Sequence, residues 1–227
     1  MLPALVLFDL DGTLVDSKRG IERCAAAALA GVGLAPLSSA QLVEFIGPPL
    51  HESFADLGVA PDQVDDVVRR YRTVYEDRGV FEFDVFDGVA DVLDELARRG
   101  VALGVATSKL TALAVVVLEA AGLAQYFTHI VGVETDGSRR DKTEVMAHAL
   151  DLFHVERADD VVMVGDRKHD VHGARNLGTR FIGVTWGYGP ADEFTVERVD
   201  VTVDSPQGLL EALMVADQIA PAPTSGP

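Results

Sequence analysis

The stretch LVLFDLDGT, residues Leu5–Thr13, decides the fold class of this chain. An apolar run that ends in two carboxylates and a glycine predicts a buried strand that opens into a polar site. In an open α/β sheet, ligands bind at the carboxyl ends of the strands. Asp9 and Asp11 stand two positions apart, so on a continuing strand their side chains would point the same way. A plain strand followed by an Asp-Gly turn is the alternative for these residues alone.

The paired carboxylates of this stretch predict a bound cation. Two carboxylates that are close together repel each other unless a cation or a shared proton compensates. Mg²⁺ prefers hard oxygen ligands, so Asp9 and Asp11 favour Mg²⁺ as the cofactor. Gly12 allows a sharp turn directly after the strand, and Thr13 offers a hydroxyl and an amide to an anion.

Length and charge limit the classes of function. The 227 residues suit one large domain or a core with a smaller insertion. A formal charge of −17 argues against binding to a nucleic-acid polymer or to an anionic membrane. A phosphate site must therefore be made positive locally, by a metal, by lysines and by backbone amides.

The single cysteine, Cys24, indicates a reducing compartment. With neither a leader peptide nor a membrane span apparent, we expect a cytoplasmic protein, either a monomer or a homodimer.

The order of predicted elements indicates a two-part architecture. The link Leu14–Lys18 is short and polar. Residues 18–83 then read as helices without a strand signal, which predicts an inserted α-helical cap domain. Helices and strands alternate from residue 84, which predicts a Rossmann-like parallel sheet covered by helices on both faces, an α/β fold. The core would comprise residues 1–17 and 84–219, and residues 220–227 would form a disordered tail. The predicted strands after the first are Val101–Ala106, His129–Val133, Asp160–Val164, Arg180–Val184 and Val201–Val203.

Three further polar clusters follow predicted strands, so they could converge on the edge that carries Asp9. The first is Thr107-Ser108-Lys109, which can hold a phosphate oxygen or can simply cap a helix. The second is Lys142, which opens a helix where the macrodipole disfavours a cation, and which could equally be a solvated lysine. The third is Gly165–Asp170, whose two carboxylates, Asp166 and Asp170, could complete an oxygen site for a metal. An ordinary capped helix start is the alternative there.

Taken together, these parts resemble the haloacid dehalogenase (HAD) superfamily, over nearly the whole chain. Asp9–Asp16 matches the first of the four ordered motifs of that superfamily, Thr107 the second, Lys142 the third and Gly165–Asp170 the fourth. The first and fourth motifs are specific, whereas the middle two are weak alone. The helical insertion after the first motif resembles the small cap of the phosphoglycolate-phosphatase-like branch. Lys142 lacks the proline that commonly follows the third-motif lysine in that branch.

The resemblance implies a Mg²⁺-dependent phosphatase. Asp9 would attack phosphorus and become an aspartyl phosphate. Asp11 would protonate the leaving group and then activate water. Mg²⁺ would be held by Asp9, by the backbone carbonyl of Asp11 and by Asp166. Asp170 would either bind Mg²⁺ directly or contact one of these ligands.

The resemblance also implies a set of phosphate-binding groups. Thr107 and Lys142 would bind the transferring phosphoryl oxygens, and Lys142 would offset the charge on Asp9. Asp11, Gly12 and Ser108 complete the phosphate-binding residues that we expect. Catalysis of phosphoryl transfer depends chiefly on positioning the reacting groups and on neutralising the charge that develops. Hydroxyl, amide and ammonium groups suit both tasks.

The substrate that we expect is a small phosphate monoester, either 2-phosphoglycolate-like or a nucleoside 5′-monophosphate. A phosphohexose mutase shares all four motifs and stays open as an alternative. A phospho-Asp signalling module of the receiver type is a further alternative, although such modules are shorter and have no cap.

Substrate specificity would lie in the cap, where the loop Phe45–Leu50 contains Gly47 and Pro48. Arg19 and Arg23 could contact an anionic substrate group or could be solvated helix residues.

Overall fold

A six-stranded parallel sheet forms the centre of the molecule in the computed structural model, which describes residues 2–220. Its strands run in the order β5-β4-β1-β6-β7-β8, and every neighbouring pair is parallel. These strands are β1 (Leu5–Phe8), β4 (Ala102–Leu110), β5 (His129–Val133), β6 (Val161–Gly165), β7 (Arg180–Val184) and β8 (Thr202–Val203). The sequence prediction of a parallel α/β sheet is confirmed.

Helices cover both faces of this sheet because its central strand is apolar on both sides. Val6 and Phe8 pack into the larger hydrophobic cluster, whereas Leu5 and Leu7 pack into a second cluster on the opposite face. This alternation follows from the two-residue period of a strand. The helices of the core are α5 (Val89–Arg98), α6 (Thr111–Ala120), α7 (Lys142–Leu152), α8 (Lys168–Leu177), α9 (Glu193–Val196) and α10 (Pro206–Met214).

Four helices occupy the stretch between the first strand and the rest of the core. They are α1 (Lys18–Ala30), α2 (Ser39–Phe45), α3 (Leu50–Asp56) and α4 (Val64–Asp77). α2 begins in a capping box, in which the Gln41 amide donates to Ser38 Oγ and the Ser38 amide donates to Gln41 Oε1. Phe45, Phe54 and Tyr71 pack edge-on or tilted against one another at centroid distances of 5.0 to 6.0 Å. These contacts give the helical segment a small aromatic core.

Three details differ from the sequence prediction. The link after the first motif is not simply polar, because Leu14 and Val15 are buried. Val15–Asp16 forms a short strand, β2, which pairs antiparallel with β3 (Asp84–Val85) at the two ends of the helical segment. Strands of two residues are too short to show a period, so no sequence pattern predicts them. β4 also runs further than predicted, because Leu110 pairs with Val133 beyond a bulge after Ala106.

Residues 221–227, most of the predicted tail, lie outside the described residues. Over residues 2–220, none of the helices combines the length and the apolar character needed to cross a bilayer.

Candidate active site

The carboxyl ends of three neighbouring strands bring the predicted site residues together. Asp9 directly follows β1, Thr107 lies at the start of the bulge in β4, and Asp166 directly follows β6. β1 lies between β4 and β6, so these three positions share one edge of the sheet. Lys142 is the first residue of α7, which packs beside β4 and β5. The site therefore lies where ligands bind in open α/β sheets.

Lys142 joins two of the carboxylates. Its Nζ lies 2.9 Å from Asp9 Oδ1 and 2.7 Å from Asp170 Oδ1, and it donates to the carbonyl of Ala106 at 2.9 Å. All three side chains are buried. Burial opposes protonation, but the Asp170 and Asp9 carboxylates outweigh it and raise the pKa of Lys142 above its ordinary value. Lys142 is thus a fixed positive charge beside Asp9.

Asp166 completes a cluster of three carboxylates. Oxygens of Asp9, Asp166 and Asp170 all lie within 4.8 Å of one another. Asp166 accepts hydrogen bonds from Thr13 Oγ1 at 3.2 Å and from the Tyr188 amide at 2.8 Å. These bonds fix its position at the carboxyl end of β6.

The electrostatics of this cluster fit a divalent cation. Burial raises the pKa of Asp9 to about 6; Lys142 opposes this rise and Asp170 adds to it. Burial and the charges of Asp9 and Asp170 raise the pKa of Asp166 well above its ordinary value. Three buried acids next to one lysine leave an excess of negative charge that a metal ion would neutralise. Buried carboxylate oxygens are also the donor set that suits Mg²⁺.

Asp11 has partners that the sequence did not reveal. Its carboxylate accepts a hydrogen bond from Ser17 Oγ at 2.5 Å and lies 2.8 Å from Lys109 Nζ. Lys109 also donates to the hydroxyl of Tyr75, at 2.7 Å, and Tyr75 belongs to α4 in the helical segment. Burial of Lys109 disfavours its charged form, yet the Asp11 carboxylate and Tyr75 outweigh burial and raise the pKa of Lys109 above its ordinary value. One ammonium group therefore connects Asp11 to the helical segment.

Two glycines make room for Asp166. Gly12 has a φ of +88°, and a Cβ built there would lie 2.2 Å from Asp166 Oδ2. A Cβ at Gly187 would lie 2.4 Å from the same oxygen. Both distances are far inside van der Waals contact, so Asp166 can occupy its position only because neither residue has a side chain.

A cavity of about 400 Å³ lies between this edge of the sheet and the helical segment. Asp9, Asp11, Thr107 and Ser108 line it from the core, and the loop Phe45–Leu50 lines it from the other side. Gly47 and Pro48 are thus placed at the cavity, as the sequence analysis expected of specificity residues. The volume lies in the range of small-molecule sites.

The two arginines proposed from α1 lie elsewhere. Arg19 and Arg23 are exposed, and neither lines the cavity. Arg23 forms an ion pair with Glu82 at the end of the helical segment. Arg19 and Arg23 are close to the first motif in sequence, but α1 directs their side chains to solvent and not into the cavity.

Arg167 connects the fourth motif to the helical segment. Its side chain is 2% exposed, and its Nη1 donates to the backbone carbonyls of Val43, at 2.8 Å, and of Ile46. Its Nε lies 3.2 Å from Glu193 Oε2, which also accepts from the Lys168 amide. The carbonyls belong to the last turn of α2, where a cation is favoured. One buried side chain, that of Arg167, therefore holds the loop after β6, which carries Asp166, against the cavity loop Phe45–Leu50.

Several of these groups were missed by sequence reasoning, for different reasons. Lys109 and Arg167 stand inside the polar clusters that the sequence singled out, so each could have been considered as a site residue. Tyr75 and Tyr188 carry no local signal, because each reaches the site through the fold: Tyr75 from α4, and Tyr188 from the loop after β7.

Comparisons with known proteins place the chain in a family. The sequence model of haloacid dehalogenase-like hydrolases matches residues 6–184. The chain is 40% identical to tyrosine-protein kinase PtkA of Mycobacterium tuberculosis, covering 94% of this chain and 72% of that protein. It is also 40% identical to a 5′-nucleotidase of Pseudomonas aeruginosa, covering 83% of this chain and 85% of that protein. Identity to a phosphoglycolate phosphatase of Agrobacterium fabrum is 31%, over 93% of each.

A solved structure agrees with these relatives. The crystal structure of a predicted phosphatase from Clostridium acetobutylicum matches with a TM-score of 0.89 and 35% identity, covering 95% of this chain and all of that one. The fold, the family predicted from the four motifs and the hydrolase class are thereby confirmed. The chain belongs to the haloacid dehalogenase-like hydrolase family.

Proposed function

We propose that this protein is a Mg²⁺-dependent phosphatase that hydrolyses a small phosphate monoester through an aspartyl phosphate. One observation supports this above the others: Lys142 holds Asp9 at 2.9 Å within a buried cluster of three carboxylates. A carboxylate held by a fixed ammonium beside a cation site is suited to attack phosphorus and to stabilise the charge that develops. Phosphatase names among the relatives agree with this proposal.

Asp9 is the nucleophile in this proposal. One of its carboxylate oxygens forms a bond to phosphorus while the bond from phosphorus to the ester oxygen breaks. The departing oxygen takes a proton from the Asp11 carboxyl group. Lys142, Thr107 and Ser108 hold the phosphoryl oxygens, and Lys142 also keeps Asp9 in place.

Hydrolysis of the aspartyl phosphate restores the enzyme. Asp11 accepts a proton from water as the water oxygen bonds to phosphorus, and the bond between phosphorus and Asp9 breaks. Inorganic phosphate leaves, and Asp9 is again a free carboxylate. Lys109 and Ser17 contact the Asp11 carboxyl group and would hold it in place for both proton transfers.

Asp9, Asp166 and Asp170 are the side chains that would hold Mg²⁺, together with the Asp11 backbone carbonyl. The bound metal would supply positive charge to the transferring phosphoryl group. Thr13 and the Tyr188 amide would keep Asp166 oriented for this task.

We further propose that residues 18–83 act as a cap domain over a core of residues 1–17 and 84–219. The antiparallel pair β2–β3 marks the two crossings between these parts. The loop Phe45–Leu50 would then contact the leaving group, and closure would exclude water from the cavity. Both 2-phosphoglycolate and nucleoside 5′-monophosphates are compatible with a cavity of about 400 Å³.

The test is phosphate release from a panel of monoesters, measured with Mg²⁺ and with EDTA. The panel contains 2-phosphoglycolate, nucleoside 5′-monophosphates, hexose phosphates and an aryl phosphate. We expect Mg²⁺-dependent release that Asp9→Asn lowers at least about 10³-fold, since removal of a nucleophile costs that much or more. Asp91→Asn, an exposed residue of α5, is the control and should leave the rate unchanged.

Other outcomes would favour other phosphotransferases. Isomerised hexose phosphate without release of phosphate would indicate a mutase. A stable acyl phosphate on Asp9 with no turnover would indicate a signalling module. Transfer from ATP to a tyrosine substrate, without ester hydrolysis, would align the chain with the kinase named among its relatives.

A further inference from the structure

Three arginines line the cavity, and they differ in how they are held. Arg139 pairs with Glu134 at 2.6 Å and donates to the carbonyl of Gly132. Arg140 donates to the carbonyl of Gly137, in its own loop. Arg72, from α4, has neither an ion pair nor a hydrogen bond within residues 2–220, and its Nε atom is buried.

An arginine without a partner is unexpected in this chain. Acidic residues outnumber basic ones by 36 to 19, and arginines outside the cavity find acids readily, as Arg175 does with Glu197. A buried donor without an acceptor costs free energy, and this cost is larger for a charged group. Glu52 and Glu134 line the same cavity, yet within residues 2–220 neither forms an ion pair with Arg72, and Glu134 pairs with Arg139 instead. The guanidinium is therefore free to bind an anion that enters the cavity.

The position of Arg72 indicates which part of a ligand it would meet. It lies one helical turn before Tyr75, whose hydroxyl accepts from the Lys109 ammonium that pairs with Asp11. Its neighbour Tyr71 stacks on Tyr75, with ring centroids 5.6 Å apart, so this face of α4 is well fixed. The phosphoryl group would occupy the site at Asp9 and Lys142. Arg72 thus lines the part of the cavity left for the leaving group.

We propose that Arg72 binds a second oxyanion, a carboxylate or a phosphate, on the leaving group of the substrate. The inference rests on the proposed phosphatase function and narrows the substrate class to esters with two anionic groups. Guanidinium forms paired, charge-assisted hydrogen bonds to both kinds of oxyanion. Apolar cavity residues such as Ile46, Pro48 and Leu113 would contact the carbon skeleton between the two anions.

The test compares aryl phosphates that differ in the second group alone. 4-Carboxyphenyl phosphate and 1,4-phenylene bisphosphate carry the second anion, and 4-carbamoylphenyl phosphate is the neutral match. We expect wild-type kcat/KM to be about 10- to 100-fold higher for at least one anionic ester than for the neutral one, as charged hydrogen bonds provide. Arg72→Met should abolish this preference, chiefly through KM, and should leave the neutral ester unaffected. Arg72→Lys should restore part of it.

A binding measurement separates this inference from the phosphatase proposal. 4-Carboxyphenylphosphonate and 4-carbamoylphenylphosphonate cannot be hydrolysed, and their Kd values can be compared by calorimetry with Mg²⁺ present. Arg70→Met, an exposed residue of the same helix that does not line the cavity, is the matched control. A preference that survives in Arg72→Met would overturn the proposal, and so would equal Kd values for the two phosphonates together with no preference for 1,4-phenylene bisphosphate in the wild type. A preference lost in Arg72→Met alone supports it even if no ester is hydrolysed.

Discussion

Asp166 sits where it does because Gly12 has no side chain. A Cβ at position 12 would lie 2.2 Å from its Oδ2, and the backbone there has a φ of +88°. Thr13, the next residue, donates to the same carboxylate. The first and fourth motifs, which are far apart in the sequence, therefore constrain each other at the level of single atoms.

Substitution of Gly12 tests this constraint. We expect Gly12→Ala to lower the free energy of unfolding by about 1–3 kcal/mol, since it combines backbone strain with a clash. It should also weaken Mg²⁺ binding about 10- to 100-fold, because Asp166 must move. Gly33→Ala is the matched control: its φ is +75°, and a Cβ there would meet nothing within 4 Å. Mg²⁺ binding that changes equally little in both variants, measured by calorimetry, would contradict this account.

The raised pKa of Asp9 predicts a pH-dependent response to the metal. Without metal, its folded pKa of about 6 lies above the ordinary 3.8, so the folded protein binds more protons than the unfolded chain between these values. Stability of the metal-free protein should therefore fall as pH rises from 4 through 6. Bound Mg²⁺ would neutralise the ionised cluster, so Mg²⁺ should raise Tm more at pH 7 than at pH 5. Thermal unfolding with Mg²⁺ or EDTA at both values measures this, and an equal rise at both would speak against the cluster as the metal site.

At the scale of elements, the last turn of α2 is fixed to the core through Arg167. The guanidinium donates to two carbonyls at this turn and pairs with the buried Glu193. Removing one member of a buried ion pair leaves the other charge uncompensated. This contact therefore determines where the cavity loop after α2 lies.

Loss of the Arg167 side chain should release α2. We expect Arg167→Met to lower the free energy of unfolding by about 3–5 kcal/mol. Amide hydrogen exchange in residues 39–46 should increase more than exchange in the sheet. Arg69→Met removes an exposed pair with Asp66 and should cost about 0–1 kcal/mol. If urea unfolding gives the two variants the same stability, Arg167 does not fix α2.

How much the sequence predicts depends on how local each feature is. The predicted bounds of β5 and β7 and the predicted start of a helix at Lys142 are those observed, because each strand is a short apolar run with polar boundaries. Asp9, Lys142 and Asp166 could be located because a position after a strand, or at a helix start, fixes where a residue lies in a parallel sheet. The Tyr75–Lys109 bond spans 34 positions and depends on how α4 packs, which no local pattern contains. The same holds for Arg167 and Ile46, which are 121 positions apart.

Across the whole molecule, one hydrophobic cluster runs through both parts of the chain. It includes Phe8 and Val164 of the sheet together with Cys24 and Phe54 of the helical segment. Two parts that share buried apolar surface lose stability together when that surface is exposed. The helical segment and the sheet should therefore unfold as one unit.

The single tryptophan allows this cooperativity to be measured. Trp186 lies in the core, where its indole donates to the Thr13 carbonyl at 3.2 Å. Phe54, in the helical segment, is fully buried, so Phe54→Ala should cost about 3–5 kcal/mol. We expect the Trp186 fluorescence midpoint and the helical circular dichroism midpoint to fall together, by about 6–20 °C at 2–4 °C per kcal/mol. A Trp186 midpoint that stays in place while part of the helical signal is lost at a lower temperature would show that the two parts unfold separately.

The bond between Lys109 and Tyr75 would couple the proposed motion of the cap domain to the proposed role of Asp11 in proton transfer. If the cap domain opens as proposed, this bond would break, and water would take the place of the tyrosine hydroxyl beside Lys109. The residue proposed to handle protons, Asp11, then has a hydrated partner instead of a dry one, and charges attract each other less strongly in water. Under the proposed mechanism, proton transfer by Asp11 would therefore be favoured while the substrate is enclosed, and release of the product would return Asp11 to a hydrated environment.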